Sequence, residues 1–147
     1  MFLAALALQA ASSADKDYVA EVRAHLDAEQ AAFRSGRCSE AVAHWALNLS
    51  MVVEGHSRAS SREELETLCN RIMLMVAEGK IPSGAAGQRI ISQKITMLSA
   101  DIAYSITERL TPAGDRSSVT KVVVRTATGW QIAHMHEAIA SALTKSK

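Results

Sequence analysis

The first third of the chain carries apolar residues at the spacing of an α-helix. Val22, Leu26 and Phe33 recur on one helical face, which predicts a long first helix. This helix is expected to run from Asp17, a residue type that caps helices, to Ser35, just before a glycine.

Two further helices and one strand are predicted before residue 80. A short helix is expected over 39–46, followed by a strand in the β-branched and apolar stretch NLSMVVEG, which ends at Gly55. Ser61 and Glu64 then form a Ser-x-x-Glu capping box in front of an amphipathic helix that is expected to end near Glu78.

After residue 81 the pattern changes to alternation with a period of two, the period of a strand. The segment 82–87, PSGAAG, is predicted to be a loop. Four strands follow, and their connections are short enough to make neighbours antiparallel: Gln88–Leu98, Ile102–Leu110, Ser117–Thr126 and Gly129–Ala138. Helices followed by an antiparallel meander predict an α+β fold in which N-terminal helices cover one face of a strongly curved sheet. The inner face of that sheet is the expected place for a pocket.

Composition narrows the class of protein. At 147 residues the chain has the length of a single domain, and a chain of this size buries roughly 68–70% of its unfolded surface without needing a metal to fold. The 16 Lys and Arg residues against 15 Asp and Glu give a formal charge of +1 with no basic cluster. Nucleic acid and membrane are therefore not expected as partners. No apolar run reaches the roughly 18 residues that a spanning helix needs.

Residues 1–14 differ from the rest of the chain. Phe2–Ala11 carry no charge and are followed by the small residues Ser12, Ser13 and Ala14, which resemble the apolar region and cleavage site of an export signal. The positive region that usually precedes such a signal is missing, so an apolar start to the first helix is the alternative. Export predicts a periplasmic or secreted domain over 15–147; without it the protein would be cytoplasmic.

The two cysteines, Cys38 and Cys69, bear on the same question. In an oxidising compartment they could pair, because one precedes the short second helix and the other lies on the third. Two buried free thiols fit their spacing equally well. No Cys-x-x-Cys motif marks either residue as a nucleophile.

A set of short motifs occurs in order from Asp17 to Ala138: SGRC, HWALNLSMVVEGH, SREELE, ADIAYSITERL and TKVVVRTATGWQIAHMHEA. The most specific are ADIA at the start of one strand, T-x-V in the next, and Gly-Trp with a histidine six residues beyond the tryptophan. Together they resemble the SnoaL-like branch of the nuclear transport factor 2-like superfamily. The resemblance implies a cone-shaped α+β barrel with an internal pocket, usually a homodimer through the outer sheet.

The same resemblance implies no single activity, because members include isomerases, dehydratases, cyclases and epoxide hydrolases, and a fold does not determine chemistry. The ketosteroid isomerase mechanism uses a basic Asp together with a Tyr and a protonated Asp in an apolar cavity. Asp101 and Asp115 are predicted in solvated turns here, so that mechanism is not expected. An Asp-Arg-Asp arrangement of the epoxide hydrolase type also has no counterpart in the sequence.

The last strand carries two histidines, His134 and His136. Strict alternation puts both on the face of Trp130 and Ile132, which are bulky and should point inward. Both imidazoles are therefore predicted to face the cavity, as hydrogen-bonding or proton-carrying groups or as a polar rim. A metal is not expected, since the sequence offers only His56 and Glu108 as scattered further ligands. No cofactor is expected either.

Four other residues are candidates for the site. Tyr104 could donate its phenol to a ligand and Glu108 could act as a base, provided that their face of the strand is the inner one, which alternation alone leaves open. Trp45 and His56 flank the first strand and could line the pocket mouth. The alternatives are a buried tryptophan and a surface histidine.

Three functions fit these patterns. The favoured one is a binding domain for a small, partly apolar molecule, with ligand contacts from Trp45, His56, Tyr104, Trp130, His134 and His136. The second is a small isomerase, dehydratase or hydrolase that uses a pocket histidine for acid/base chemistry. The third is a dimerisation or interaction domain without catalysis.

Overall fold

The computed structural model describes the backbone of residues 2–81, 88–111 and 114–140, and the side chains from residue 17 onward within those ranges. These ranges contain three helices and six strands. They are α1 (Phe2–Arg34), α2 (Cys38–Ala43), β1 (Trp45–Val53), β2 (His56–Ala59), α3 (Arg62–Ala77), β3 (Arg89–Met97), β4 (Ile102–Leu110), β5 (Arg116–Thr126) and β6 (Gly129–Ala140).

The six strands form one curled, unclosed sheet in the order β2-β1-β6-β5-β4-β3. Strands β3 to β6 are a meander of antiparallel neighbours, as their short connections predict. Strand β1 pairs with β6 in the parallel direction and with β2 in the antiparallel direction. The α+β prediction, with N-terminal helices on a curved and mainly antiparallel sheet, is confirmed.

The core lies between the helices and the inner face of the sheet. Val22 and Leu26 of α1 are 0% and 3% exposed, which confirms the apolar stripe that predicted this helix. They belong to one cluster with residues from both ends of the sheet, including Trp45, Val119, Val123 and Ile132. One continuous core is what a chain of this length should form.

The helix boundaries differ from the predictions mainly at the start of the chain. Helix α1 begins at Phe2 and continues through Asp17 without a break, because the Ala- and Leu-rich sequence before Asp17 is itself helix-forming. At the other end Gly36, with φ +70, closes the helix with its N–H donating to the Phe33 carbonyl at 3.1 Å. Among the described residues no helix has the length and apolarity needed to cross a bilayer.

The capping box in front of α3 is confirmed. The Ser61 hydroxyl accepts a hydrogen bond from the Glu64 N–H at 3.2 Å. The Glu64 carboxylate reaches back to the Ser60 N–H at 2.7 Å, one residue earlier than the usual box. The hydrogen bonds that the Ser60 N–H and the Ser60 hydroxyl donate to this carboxylate lower the pKa of Glu64 below its ordinary value.

A hairpin between β1 and β2 was not predicted. Glu54 and Gly55 both have positive φ, 53 and 75, and so form a two-residue turn of the primed type that reverses the strand. The sequence signal was weak because β2 has only four residues, HSRA, of which only Ala59 is buried. This hairpin places Arg58 beside the cavity described below.

Cys38 and Cys69 form a disulfide with an S–S distance of 2.05 Å and a Cα–Cα distance of 5.7 Å. The bond connects the first residue of α2 to the middle of α3 and encloses a sequence separation of 31 residues. Of the two alternatives for the cysteines, the pairing is the one that the structure supports. The predicted loop 82–87 lies outside the described residues, as do residues 112 and 113 between β4 and β5.

Candidate functional site

A cavity of about 480 Å³ lies between the helices and the inner face of the sheet. Its volume is in the range of small-molecule pockets, which is about 300–1,000 Å³. Helix α3 supplies one apolar wall, because its residues at spacings of three and four point into the cavity: Leu65, Leu68, Cys69, Ile72, Met73 and Val76. Met51, Val53 and Met135 of the sheet and Phe33 and Val42 of the helices complete the apolar lining.

The floor of the cavity holds a buried ion pair. The Lys121 ammonium donates to Glu29 Oε2 at 2.6 Å, and the indole N–H of Trp45 donates to Glu29 Oε1 at 3.0 Å. Glu29 is 6% exposed and Lys121 is 7% exposed. Both carboxylate oxygens thus have a partner, which is the condition under which a buried charge is tolerated. The ion pair connects α1 to β5, and the hydrogen bond from the Trp45 indole connects β1 to the same carboxylate.

Sequence reasoning missed this pair, although a signal for Glu29 exists. Glu29 is three residues after Leu26 and four before Phe33, so it occupies the apolar stripe of α1. A carboxylate in that position needs a buried partner. Lys121 gave no comparable signal, because β5 has valines on both faces and alternation does not show which one is inner.

One edge of the cavity carries Arg109, which points inward from β4. Its Nη1 donates to Gln88 Oε1 at 3.4 Å, and its buried Nε has no hydrogen-bond partner among the described residues. With the Gln30 amide in the orientation that satisfies both of its ends, the amide oxygen accepts from Arg34 Nη2 at 3.1 Å and from Arg109 Nη2 at 3.3 Å. A buried donor without an acceptor is costly.

Burial is the main influence on the Arg109 guanidinium, and it lowers the pKa of this group. The carboxylates of Glu137 and Glu29 oppose that shift, whereas the neighbouring cation of Arg34 adds to it. The Arg109 pKa therefore reflects a cation held in a mostly dry site close to a second cation.

The inner face of β4 carries Ala103, Ser105, Thr107 and Arg109, of which the first three are buried. Tyr104 and Glu108 therefore lie on the outer face, where Tyr104 pairs across the strands with Val122 and Glu108 pairs with Ser118. Neither residue lines the cavity. Their proposed roles as ligand donor and base depended on the opposite orientation.

The prediction that His134 and His136 face the cavity is wrong. In the pairing of β5 with β6, Val122 is opposite His134 but Val123 is opposite Ile132, so Ala133 is an extra residue in a β-bulge. The bulge exchanges the two faces of β6. Ile132 points inward before it, and Met135 and Glu137 line the cavity after it.

Both histidines therefore lie on the outer face of the sheet. His134 Nδ1 is 2.6 Å from the Ser50 hydroxyl of β1, and His136 is exposed. They are not part of the cavity lining. Any contact with a ligand in the cavity would have to pass through the sheet, whereas contact with a molecule on the outer face is open to both.

The remaining candidates are divided between the cavity and other regions. Trp45 lines the cavity and is 1% exposed, so it combines the predicted pocket role with that of a core residue. Trp130 lies in the core away from the cavity, with its indole N–H donating to Glu21 at 3.0 Å. His56 is exposed at the start of β2 and does not line the cavity.

A histidine pair that sequence reasoning did not foresee lies behind the cavity floor. His25 Nε2 is 3.0 Å from the His44 carbonyl, and the two Nδ1 atoms are 3.4 Å apart. Burial lowers the pKa of His25; the hydrogen bond with the His44 backbone opposes this shift, and the charge of the His44 ring adds to it. Among the described residues, no group of three or more His, Cys, Asp or Glu side chains is placed to hold a metal ion.

The comparison with protein families matches the SnoaL-like domain over residues 22–142. The chain therefore belongs to the SnoaL-like domain family, which the sequence motifs already indicated. No curated relative matches the chain.

Solved structures share the fold at low sequence identity. A protein of the DUF3225 family from Pectobacterium atrosepticum is 17% identical, has a TM-score of 0.68, and matches 85% of this chain and 92% of its own. A nuclear transport factor 2-like protein with a cystatin-like fold from Novosphingobium aromaticivorans is 17% identical and has a TM-score of 0.66. The match covers 96% of this chain and 90% of that protein. A candidate ketosteroid isomerase from Shewanella frigidimarina is 22% identical and has a TM-score of 0.59. The match covers 78% of this chain and 91% of that protein. These similarities establish the nuclear transport factor 2-like cone and leave the chemistry open.

The buried pair of Glu29 and Lys121 generates a test by double-mutant cycle. Removing one partner, as in Glu29→Met or Lys121→Met, should lower the free energy of unfolding by about 3–5 kcal/mol because the other charge is left buried without compensation. The double variant Glu29→Met with Lys121→Met should lose less than either single variant. Urea unfolding followed by circular dichroism measures all three.

The exposed ion pair of Arg37 and Glu40 provides the matched control. These side chains are 51% and 53% exposed, so Glu40→Gln should cost well under about 1 kcal/mol. Additive losses in the double variant at the buried site would show that the two charges do not depend on each other.

Proposed function

We propose that this protein binds a small, partly apolar molecule in the cavity between α3 and the inner face of the sheet. The cavity itself supports the proposal: it has a volume of about 480 Å³, an apolar wall and a few charged side chains that converge on one space. Such a combination is typical of ligand sites, in which apolar lining supplies affinity and a few polar groups fix orientation.

The arrangement favours binding over histidine catalysis. No histidine is among the residues that line the cavity, so the predicted proton carriers His134 and His136 are on the wrong side of the sheet for a ligand held there. Glu29 has both oxygens engaged by Trp45 and Lys121, and is thus occupied with structural contacts. Catalysis by a pocket histidine would need an imidazole that is free to exchange a proton with a substrate in this space.

A neutral fluorescent probe, N-phenyl-1-naphthylamine, tests the cavity. We expect saturable binding with one site per chain, and a loss of affinity of about tenfold or more in Leu68→Trp, because the indole occupies the volume of the probe. Leu74→Trp is the matched control on the same helix, since Leu74 is 59% exposed and outside the lining. Fluorescence titration measures each affinity.

Variants of the two histidines of β6 are tested in the same fluorescence titration. His134→Ala and His136→Ala should leave the affinity for the probe unchanged, because neither side chain lines the cavity. Equal affinities of Leu68→Trp and Leu74→Trp, or a lost affinity in the histidine variants, would contradict the proposed site.

We also propose that the protein is a homodimer through the outer face of its sheet, as its family resemblance implies. The exposed apolar side chains on this face support the proposal: Ile102 is 40% exposed and Ile106 is 38% exposed. Their cross-strand neighbours Val124 and Thr120 lie on the same face, next to the histidines of β6. A contiguous apolar patch at a sheet face is typical of an interaction surface.

Sedimentation velocity tests the dimer. The wild type should sediment as a dimer, whereas Ile102→Lys with Ile106→Lys should give a monomer because two charges would be buried in the interface. Leu74→Lys, a change at an exposed leucine on α3, should leave the dimer intact. A wild type that sediments as a monomer throughout the concentration series rules the interface out.

We further propose that the protein is exported and that residues 1–14 are removed. The uncharged segment with its small residues supports this, as does the Cys38–Cys69 disulfide, because such bonds persist in oxidising compartments. Intact-mass measurement of protein recovered from its native host should give residues 15–147, lighter by two hydrogen atoms than the reduced chain. A mass that includes residues 1–14 would contradict removal, and alkylation of two thiols without prior reduction would contradict the disulfide.

A further inference from the structure

The charged side chains around the cavity are not balanced. Among the described lining residues, four are cationic, Arg34, Arg58, Arg109 and Lys121, and two are carboxylates, Glu29 and Glu137. Lys121 and Glu29 neutralise each other at 2.6 Å. Three arginines thus share the cavity with the single carboxylate of Glu137.

Arg109 and Arg34 meet at one neutral acceptor, and neither they nor Arg58 has a carboxylate partner among the described residues. No carboxylate among the described residues lies within 4.0 Å of either guanidinium. The acceptor that they share is the neutral amide oxygen of Gln30, at 3.1 and 3.3 Å. Two like charges at one neutral acceptor repel each other, and an anion placed between them would remove that repulsion.

Arg109 also has an unused donor. Its Nε is buried and has no partner among the described residues, and its Nη1 makes only a long contact of 3.4 Å with Gln88. The planar guanidinium binds an oxyanion through two parallel N–H groups. A carboxylate at this point would therefore satisfy a donor that the protein itself leaves open.

Most of the remaining lining is apolar, from the α3 wall to Met51 and Met135 of the sheet. We propose that the cavity selects an amphipathic organic monoanion, whose acidic group contacts Arg109 and Arg34 and whose hydrocarbon part lies against α3. A single negative charge fits better than two at this point, because the carboxylate of Glu137 also acts on Arg109 and offsets one of the two charges of Arg109 and Arg34. This inference rests on the proposed small-molecule-binding function and specifies the class of ligand.

Three probes of equal chain length test it: octanoate, octanol and octylamine, each used to displace N-phenyl-1-naphthylamine at pH 7. Octanoate should bind at least about tenfold more tightly than octanol, because it adds charge-assisted hydrogen bonds to the same apolar contacts. Octylamine should bind least. In Arg109→Gln the preference for octanoate should disappear while the affinity for octanol is retained.

Arg71→Gln is the matched control, because Arg71 is exposed on α3 and outside the lining. It should keep both the affinity and the preference of the wild type. Arg34→Gln, on a separate element, repeats the test if Arg109→Gln proves poorly folded by circular dichroism. Octanol binding as tightly as octanoate overturns the anion preference and leaves the small-molecule site standing, whereas failure of all probes, the naphthylamine included, overturns both.

Discussion

The carboxylate of Glu29 is the contact on which the geometry of the cavity depends. It receives one hydrogen bond from Lys121 of β5 and one from Trp45 of β1, so three elements that are distant in the chain meet at two oxygen atoms. Because an unpaired charge at 6% exposure would be very unfavourable, the position of α1 in which both contacts form is strongly favoured. Together with the packing of Val22 and Leu26 in the core, this pair holds α1 over the sheet beside the cavity.

The sequence predicted the regular elements well because each has a local cause. Strand β4 was predicted with the residues that it has, and β5 differs by one residue at its start, since short turns bound strands that alternate clearly. The start of α3 was predicted from Ser61 and Glu64, whose side chains form the capping contacts themselves. Helix α1 was predicted too short because an Ala-rich sequence provides no signal for where a helix begins.

The cavity was predicted less well because its residues depend on pairing between distant segments. Lys121 and Glu29 are separated by 92 positions, and neither shows its partner in the local sequence. The face of the two histidines was predicted from strict alternation, which a single extra residue at Ala133 reverses. A bulge has no reliable signature in one sequence. Alternation did predict that one face of each strand points inward, but it did not decide which face of β4 does. The inner face proved to be the one with Arg109, which contributes a charged side chain to the cavity.

The disulfide between α2 and α3 bears on how the cavity could open. Helix α3 forms its wall, and Cys69 is itself a lining residue, so the covalent bond to Cys38 holds that wall at its middle. A lid that swings away as a rigid body would have to break this bond or carry α2 with it. A movement that opens the cavity and keeps the disulfide intact is therefore a movement of α2 and α3 together.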